Sequence, residues 1–477
     1  MRVKKSLRHR TVALIVALAA IVATPVLLFA HAHLLKSTPA ANSRLAEPPT
    51  ALTLWYSERP ELALTTLQLT DSSGASYALG PVHYGAESAS ITAAIAKPLP
   101  GGRYTVTWHT AASDGHATEG RFSFTITSGA AAAPDGAAAS APAAIPQSPP
   151  ASAGTSKSNA PLQAAPTAPV SAPLRWAELI GVLTLVGAMV FRLVVLPASG
   201  WPESVTHDAS DRTRRLAQAA LLLFAITTLM RLGGESTLVP SPTSSRLSDM
   251  WTVVHATRWG TGWCVGAIGA IVAAVSLFAA RRVNSGWFAA AIGVIAIAAS
   301  ESITGHAGAS SRSALAIATD VAHVLAGGGW LGGLTVVLLC GLPALRAVNE
   351  SERPAAGSRL VRAYHSSAVE CVVLVLITAV IGAWLRLTAF SDLWTTHYGT
   401  ILLIKIALVI VVLLFGLFHW KRVVTVDWEE STRPRFARSA ALELLVGALV
   451  VGASAALIST ALPTAAVPPV PAVMEAP

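Results

Sequence analysis

Eight apolar segments, each long enough to cross a lipid bilayer, constrain the fold of this 477-residue chain more than any other feature. They lie near residues 176–197, 215–233, 260–280, 286–303, 321–343, 367–385, 400–419 and 439–461. Hydrophobic residues make up 53% of the chain. Charged residues make up only 12%, which is well below their share in soluble proteins. We therefore expect residues 174–462 to form an all-α polytopic membrane domain of eight transmembrane helices.

The chain begins with the pattern of a secretory leader. The basic stretch MRVKKSLRHR is followed by the apolar stretch TVALIVALAAIVATPVLLFA and then by small residues. Cleavage after Ala30 makes His31 the first residue, whereas cleavage after Ala32 makes His33 the first residue. An uncleaved anchor helix is the third reading, since twenty apolar residues can span a bilayer. We assign residues 1–30 to a signal peptide that exports the segment after it.

Residues 31–128 have the alternating pattern of β-strands. In RYTVTWHT, the bulky residues Tyr104, Val106 and Trp108 alternate with more polar neighbours, as they do in half-buried strands. About six or seven such strands in roughly a hundred residues predict an all-β Greek-key sandwich of the immunoglobulin or cupredoxin type. Residues 129–173, rich in Ala, Pro and Ser, predict a disordered linker, and residues 463–477 predict a short outer tail.

The arginines and lysines predict the orientation of the membrane domain. If the sandwich is exported, the first helix starts outside and the loops alternate from there. Fourteen basic residues then lie in inner loops and four in outer loops, in agreement with the positive-inside rule. Membrane topology thus explains the net charge of +9, and we expect no nucleic-acid partner. The predicted location is the cytoplasmic membrane, with the sandwich on its periplasmic or extracellular side.

Histidines at the end of the leader and in a loop of the sandwich suggest a metal site. A mature N-terminal His31 offers an α-amine and an imidazole, and the stretch SDGHATEG adds the Asp114 carboxylate and the His116 imidazole. Nitrogen and oxygen donors of this kind suit Cu(II). His33 is an alternative ligand, because a histidine near a free N-terminus can bind Cu(II) by itself. On its own, the Asp-Gly-His sequence is equally typical of a hairpin turn.

At these residues the chain resembles the CopC family of periplasmic copper-binding proteins. The resemblance rests on HAHLLKSTPAANSRLAEPPTALTLWYSE and GRYTVTWHTAASDGHATEGRFSFTI, and it covers nearly all of residues 31–128. It implies a Cu(II) site formed by His31, through its amine and side chain, with Asp114 and His116. The methionine-rich Cu(I) site of some members has no counterpart, because no methionine occurs between Met1 and Met189.

Ionisable residues also occur within or near the apolar segments. On the outer side, His306 lies in ITGHAGASS, and the i,i+3 spacing of Asp320 and His323 places them on one helix face. Burying such groups is costly, which makes them candidates for a copper-accepting site. Each also has a structural explanation: His306 as an ordinary loop residue, Asp320 as a helix cap, and His323 as a partner in an interhelical hydrogen bond. Glu370 and Glu443 are candidates for an inner pathway, although ion pairing or snorkelling explains them equally well.

The membrane segments resemble the CopD family of inner-membrane copper proteins. The matching stretches are ITGHAGASSRSALAIATDVAHVLAGGGWLGGL, HYGTILLIKIALVIVVLLFG and RSAALELLVGALVVGASAALISTALPT. They cover helices four, five, seven and eight, whereas the first three match only in general character. A CopC-like domain followed by a CopD-like domain resembles the fused proteins associated with copper uptake and copper resistance.

Together these features predict copper acquisition rather than catalysis. The sandwich would bind Cu(II) outside, and the membrane domain would import it, with copper chaperones as further partners. The alternative is a membrane-anchored copper or haem redox enzyme, either monooxygenase-like or an electron carrier. Asp114 disfavours oxygenase chemistry, because a carboxylate in the copper site leaves less room for oxygen.

Overall fold

The structure, a computed structural model, describes residues 34–57, 59–87, 89–112, 117–127, 171–239, 245–305, 313–423, 432–460 and 463. These residues form a β-sandwich followed by a helical domain. The predicted signal peptide, nearly all of the predicted linker and nearly all of the predicted tail lie outside the described residues.

The sandwich has two sheets. Its strands are Leu34–Thr38 (β1), Arg44–Leu45 (β2), Ala51–Tyr56 (β3), Thr66–Asp71 (β4), Ser76–Tyr77 (β5), His83–Tyr84 (β6), Ser90–Ala94 (β7), Gly102–Ala111 (β8) and Ala117–Ile126 (β9). One sheet has the order β1-β3-β7-β6, and the other has the order β2-β9-β8-β4-β5. The predicted all-β sandwich is confirmed. The two-residue strands β2, β5 and β6 bring the number of described strands above the six or seven expected from the sequence.

The core of the sandwich lies between the sheets and follows the predicted alternation. Leu52 and Leu54 of β3 face Val106 of β8, and all three side chains are fully buried. The rings of Tyr56 and Trp108 meet edge to face, with centroids 5.4 Å apart, and join the two sheets near one end of the sandwich. Burial of this apolar layer stabilises the domain in the absence of any disulfide among the described residues.

The helical domain contains the predicted membrane spans. Its helices are Ala172–Ala198 (α1), Glu203–Glu235 (α2), Arg246–Ala256 (α3), Arg258–Ala279 (α4), Gly286–Ile303 (α5), Ala314–Ala347 (α6), Arg353–Arg386 (α7), His397–Val423 (α8) and Thr432–Ile458 (α9). In the described part of the chain, eight of them, all except α3, are long and apolar enough to cross a membrane. This agrees with the predicted number of transmembrane helices.

The spans α2 and α7 begin furthest ahead of the segments that hydropathy indicated. Helix α2 begins at Glu203 and α7 begins at Arg353, well before the apolar segments at 215 and 367. Hydropathy marks only the part of a helix that lies in lipid, whereas charged residues with good helix propensity continue the helix into water. The pair Arg212–Asp208, at 2.8 Å and i,i+4 spacing, supports this extension of α2.

Glycines bring the backbones of α1 and α6 into contact. A Cβ atom added at Gly187 would collide with the backbone of Gly332, and one added at Gly332 would collide with the carbonyl of Leu183. The glycine run of α6 thus permits close helix packing, as expected of small residues in membrane helices. A π-helical turn over Gly328–Gly332 widens α6 at this point of contact.

Candidate functional site

The predicted Cu(II) ligands His31, His33, Asp114 and His116 lie outside the described residues, but the positions from which they extend are described. Strand β1 begins at Leu34, directly after His33. The β8–β9 hairpin closes with Ala111 opposite Ala117, on either side of the loop that carries Asp114 and His116. The described residues contain no group of three or more His, Cys, Asp or Glu side chains that could hold a metal ion.

The start of β1 and the tip of the β8–β9 hairpin lie at the same end of the sandwich. Leu34 pairs with Tyr56, the last residue of β3, whose ring contacts Trp108. A few residues further on, Pro60 pairs with Ala112, and the backbone N–H of Glu61 donates to the carbonyl of Ala111 at 2.9 Å. We call this the hairpin end of the sandwich.

The hairpin end contacts the membrane domain through Glu61. The Glu61 carboxylate accepts a hydrogen bond from the backbone N–H of Arg258, the first residue of α4, at 3.0 Å. Thr257 caps the same helix, because its hydroxyl accepts from the N–H of Gly260 at 2.9 Å. A carboxylate at a helix N-terminus is stabilised by the helix dipole. Burial raises the pKa of Glu61, and the hydrogen bond and charge of Arg258 partly oppose this rise.

On the membrane side, Asp320 and His323 of α6 both face α7. The guanidinium of Arg386 donates to the Asp320 carboxylate at 2.5 Å. The imidazole Nδ1 of His323 lies 2.9 Å from the hydroxyl of Thr378. Lys405 of α8 is close enough to act electrostatically on both Asp320 and His323.

These contacts give structural roles to two of the three predicted outer ligands, and the role of His323 is the one expected from the sequence. His323 makes an interhelical hydrogen bond, and Asp320 forms an ion pair between helices rather than a helix cap. His306 lies outside the described residues, so a site formed by His306, Asp320 and His323 stays a prediction. In the described arrangement, copper would have to compete with Arg386 for the Asp320 carboxylate.

The predicted inner residues Glu370 and Glu443 have different surroundings. Glu443 is buried and lines a cavity of about 500 Å³ between α6, α7, α8 and α9. Glu370 is exposed on the surface of the helical bundle and does not line this cavity. Their role in a pathway stays a prediction.

His365 lines the same cavity and was missed by the sequence reasoning. The cavity is otherwise mainly apolar, and Tyr364 in its wall donates its hydroxyl proton to the carbonyl of Trp330 at 2.9 Å. Because hydropathy placed the start of the sixth apolar segment at residue 367, His365 lay before the predicted span. The polar extension of α7 places His365 in the helix, where it lines the same cavity as the buried Glu443.

A second group, whose mutual contacts were missed from the sequence, consists of charged residues in the halves of α1, α2 and α5 that are predicted to face outward. We call Arg175, Glu178, Arg231 and Glu301 the buried charge cluster, since all four are more than nine-tenths buried. Each lies in or next to an apolar segment, close to the end predicted to face outward. Comparing the depths of oppositely charged residues in different spans would have suggested this pairing.

Comparisons with known proteins identify the components of the chain. Residues 34–127 match the CopC domain, residues 167–315 match the N-terminal domain of copper resistance protein D-like proteins, and residues 358–457 match copper resistance protein D. The copper transport protein CutJ of Bacillus subtilis is 24% identical over 461 residues, which cover 93% of this chain and 76% of CutJ. Protein YobA of Escherichia coli K12 is 32% identical over 99 residues, which cover 20% of this chain and 80% of YobA.

Two solved structures resemble the sandwich. PcoC, a methionine-rich copper resistance protein from Escherichia coli, is 32% identical, with 20% of this chain and all of PcoC covered and a TM-score of 0.20. CopC from Methylosinus trichosporium OB3b is 26% identical, with 20% of this chain and 94% of CopC covered and a TM-score of 0.19.

The sandwich and a helical domain with eight candidate membrane spans among its described residues together define a polytopic membrane protein with an appended copper-binding module. The chain is a fusion in which a CopC domain precedes domains of copper resistance protein D. Copper transport or copper resistance is therefore its general role.

Proposed function

We propose that this chain imports copper, and that its role is transport rather than catalysis. The exported sandwich binds Cu(II) through His31, Asp114 and His116 and passes it to the membrane domain. One observation carries this proposal. The hairpin end of the sandwich, from which residues 31–33 and 113–116 extend, is the end whose Glu61 contacts α4. A metal held there would lie on the side of the sandwich that faces the membrane domain.

The donor set explains why the leader must be removed. His31 supplies an amine and an imidazole only if the peptide bond before it has been cut, and His116 and Asp114 supply a second imidazole and a carboxylate. Such a mixed nitrogen and oxygen set suits Cu(II) rather than Cu(I), which prefers thiolate or thioether ligands. Cleavage after Ala30 is therefore part of the proposal.

The membrane step begins at the outer face of α6. Copper is accepted by Asp320 and His323 with His306, and Arg386 holds the Asp320 carboxylate until copper replaces it. Copper then passes towards the cavity that is lined by Glu443 and His365, with Glu370 nearby on α7. Release on the inner side, to copper chaperones, completes import across the cytoplasmic membrane.

Cu(II) titration of the purified full-length protein, followed by electron paramagnetic resonance, tests the sandwich site. We expect His116→Ala to weaken Cu(II) binding by at least about 100-fold, because a lost ligand costs at least as much as a lost outer-shell contact. The matched control is His83→Ala, which removes an exposed histidine whose Nδ1 lies 3.2 Å from the Pro81 carbonyl. Equal Cu(II) binding by the His116 variant and the wild type would contradict the proposed site.

Copper uptake from the outer side tests the membrane step. We expect His323→Ala to abolish uptake while Cu(II) binding to the sandwich is unchanged. Normal uptake by a well-expressed His323→Ala variant would show that this histidine serves helix packing only. Copper movement only from the inner to the outer side of vesicles would instead refute import.

A further inference from the structure

The buried charge cluster connects three membrane helices with unequal contacts. Arg231 of α2 donates to the Glu178 carboxylate of α1 at 2.6 Å. Glu301 of α5 is held much more loosely, since its Oε2 atom lies 3.7 Å from Arg231 and 3.9 Å from Arg175. Both distances are too long for a hydrogen bond. Glu301 is therefore the carboxylate with the weaker pairing.

Four polar atoms of this cluster are buried and lack a hydrogen-bond partner among the described residues. They are Nη1 of Arg175, Oε1 of Glu178, Nη2 of Arg231 and Oε2 of Glu301. Unpaired buried polar atoms are rare in native proteins because each carries a desolvation cost. Two of these atoms are donors and two are acceptors. A molecule that accepts two hydrogen bonds and donates two, which is what water does, complements this set.

The charges around Glu301 are balanced. Glu301 interacts electrostatically with Arg175 and Glu178 of α1 and with Arg231 of α2. Glu235, also on α2, interacts electrostatically with both arginines. Helix α4 contributes the neutral ring of Trp259, with the Arg231 guanidinium 5.5 Å from the ring centroid. An ionised carboxylate with no hydrogen bond on one oxygen is costly in such a place, and binding a proton removes that cost.

We propose that the buried charge cluster is a proton-binding site of the membrane domain, in which a water molecule bridges the two arginines and the two carboxylates. A proton from the outer solution binds a Glu301 oxygen, forms an O–H bond and converts the carboxylate to the neutral acid. Release breaks that O–H bond and restores the carboxylate. Trp259 directly follows Arg258, where Glu61 docks, so the proton site lies beside the contact with the sandwich. That its protonation accompanies copper uptake rests on the proposed function.

Infrared difference spectroscopy of the full-length protein in lipid nanodiscs tests the proton site without copper. A shift from alkaline to acidic pH should produce a carbonyl stretching band of a buried carboxylic acid. We expect Glu301→Gln to remove this band and Glu301→Asp to move it. The control variant Glu350→Gln, which changes an exposed carboxylate on an inner loop, should leave the band in place. Absence of the band in the wild type, or its persistence in Glu301→Gln, would overturn the proposal.

Copper uptake as a function of outer pH tests the coupling separately. Wild-type uptake should change with pH, and Glu301→Gln, which mimics the protonated acid, should give uptake that does not respond to pH. Uptake by Glu301→Gln with the pH dependence of the wild type would refute the coupling. If neither the wild type nor any variant takes up copper, the proposed function is wrong. The infrared measurement still decides whether the proton site exists, because it does not depend on copper uptake.

Discussion

Glu61 of the sandwich accepts a hydrogen bond from the backbone N–H of Arg258 at the first turn of α4. This contact joins a β-domain with a membrane helix through a side-chain carboxylate that is only 6% exposed. The helix dipole and the N–H donor stabilise the ionised carboxylate, whereas its removal from water destabilises it. Desolvation is the larger effect, and so the pKa of Glu61 is raised in the docked protein.

Docking of the sandwich should therefore depend on pH. An acid whose pKa is raised in the docked state holds its proton more tightly there, so docking is favoured at low pH and is weakened as pH rises through the raised pKa. Distances between spin labels at Lys97 and Leu247, in a variant without the three native cysteines, should become longer or broader with rising pH. Glu61→Gln should keep the short distance at every pH. A wild-type distance that does not change with pH would contradict this prediction.

The Asp320–Arg386 pair should stabilise the membrane domain. Its side chains are 27% and 19% exposed, between the surface and the fully buried case, so we expect Arg386→Ala to cost about 1–3 kcal/mol of unfolding free energy. The double variant Asp320→Asn/Arg386→Gln should lose less than the sum of the two single changes, because no lone charge is left. Detergent-induced unfolding followed by circular dichroism measures this coupling. Strictly additive losses would mean that the pair has no coupling energy.

The hydrogen bond between His323 and Thr378 should matter for copper uptake through the orientation of the imidazole. Thr378→Val keeps the shape but removes the hydroxyl, and we expect it to reduce uptake. Thr378→Ser keeps the hydroxyl and should retain uptake near the wild-type rate. Unfolding measurements on both variants separate a loss of stability, about 1 kcal/mol for one hydrogen bond, from a loss of transport. Equal uptake by the two variants would argue against an orienting role.

Contact between α1 and α6 should make Gly332 intolerant of substitution. Gly332→Ala would force a methyl group against the Leu183 carbonyl and should cost about 3 kcal/mol or more. Gly416 of α8 has no atom within 4 Å of the position of an added Cβ, and it provides a matched comparison. Gly416→Ala should change stability by less than about 1 kcal/mol, in the stabilising direction. The same unfolding assay compares the two, and a neutral Gly332→Ala would disprove the close approach.

Much of the fold could be predicted from sequence periodicity. The alternation of Tyr104, Val106 and Trp108 predicted strands because a two-sided sheet requires period two, and the apolar segments predicted the spans because lipid excludes charge. Helix ends were less accurate, since helices such as α2 and α7 continue through charged residues that a hydropathy pattern assigns to loops.

The candidate sites could be predicted only in part. Asp320 and His323 were found because they share a helix face, but their partners Arg386 and Thr378 lie on another helix, which a local pattern cannot reveal. The pairing within the buried charge cluster was missed for the same reason, as its members come from three helices. A pairing across helices depends on how the helices pack, and packing is set by contacts such as that between Gly187 and Gly332.

Transfer of prebound copper tests whether the sandwich passes its Cu(II) to the membrane domain for import. Full-length protein with its sandwich outward in liposomes is loaded with one equivalent of isotopically labelled Cu(II), freed of unbound copper and followed for label in the lumen. We expect bound label to move into the lumen in the wild type, and we expect His116→Ala, which cannot hold the label, to deliver none. Label that stays on the wild-type protein, or that reaches the lumen equally in His116→Ala, would contradict delivery of copper by the sandwich.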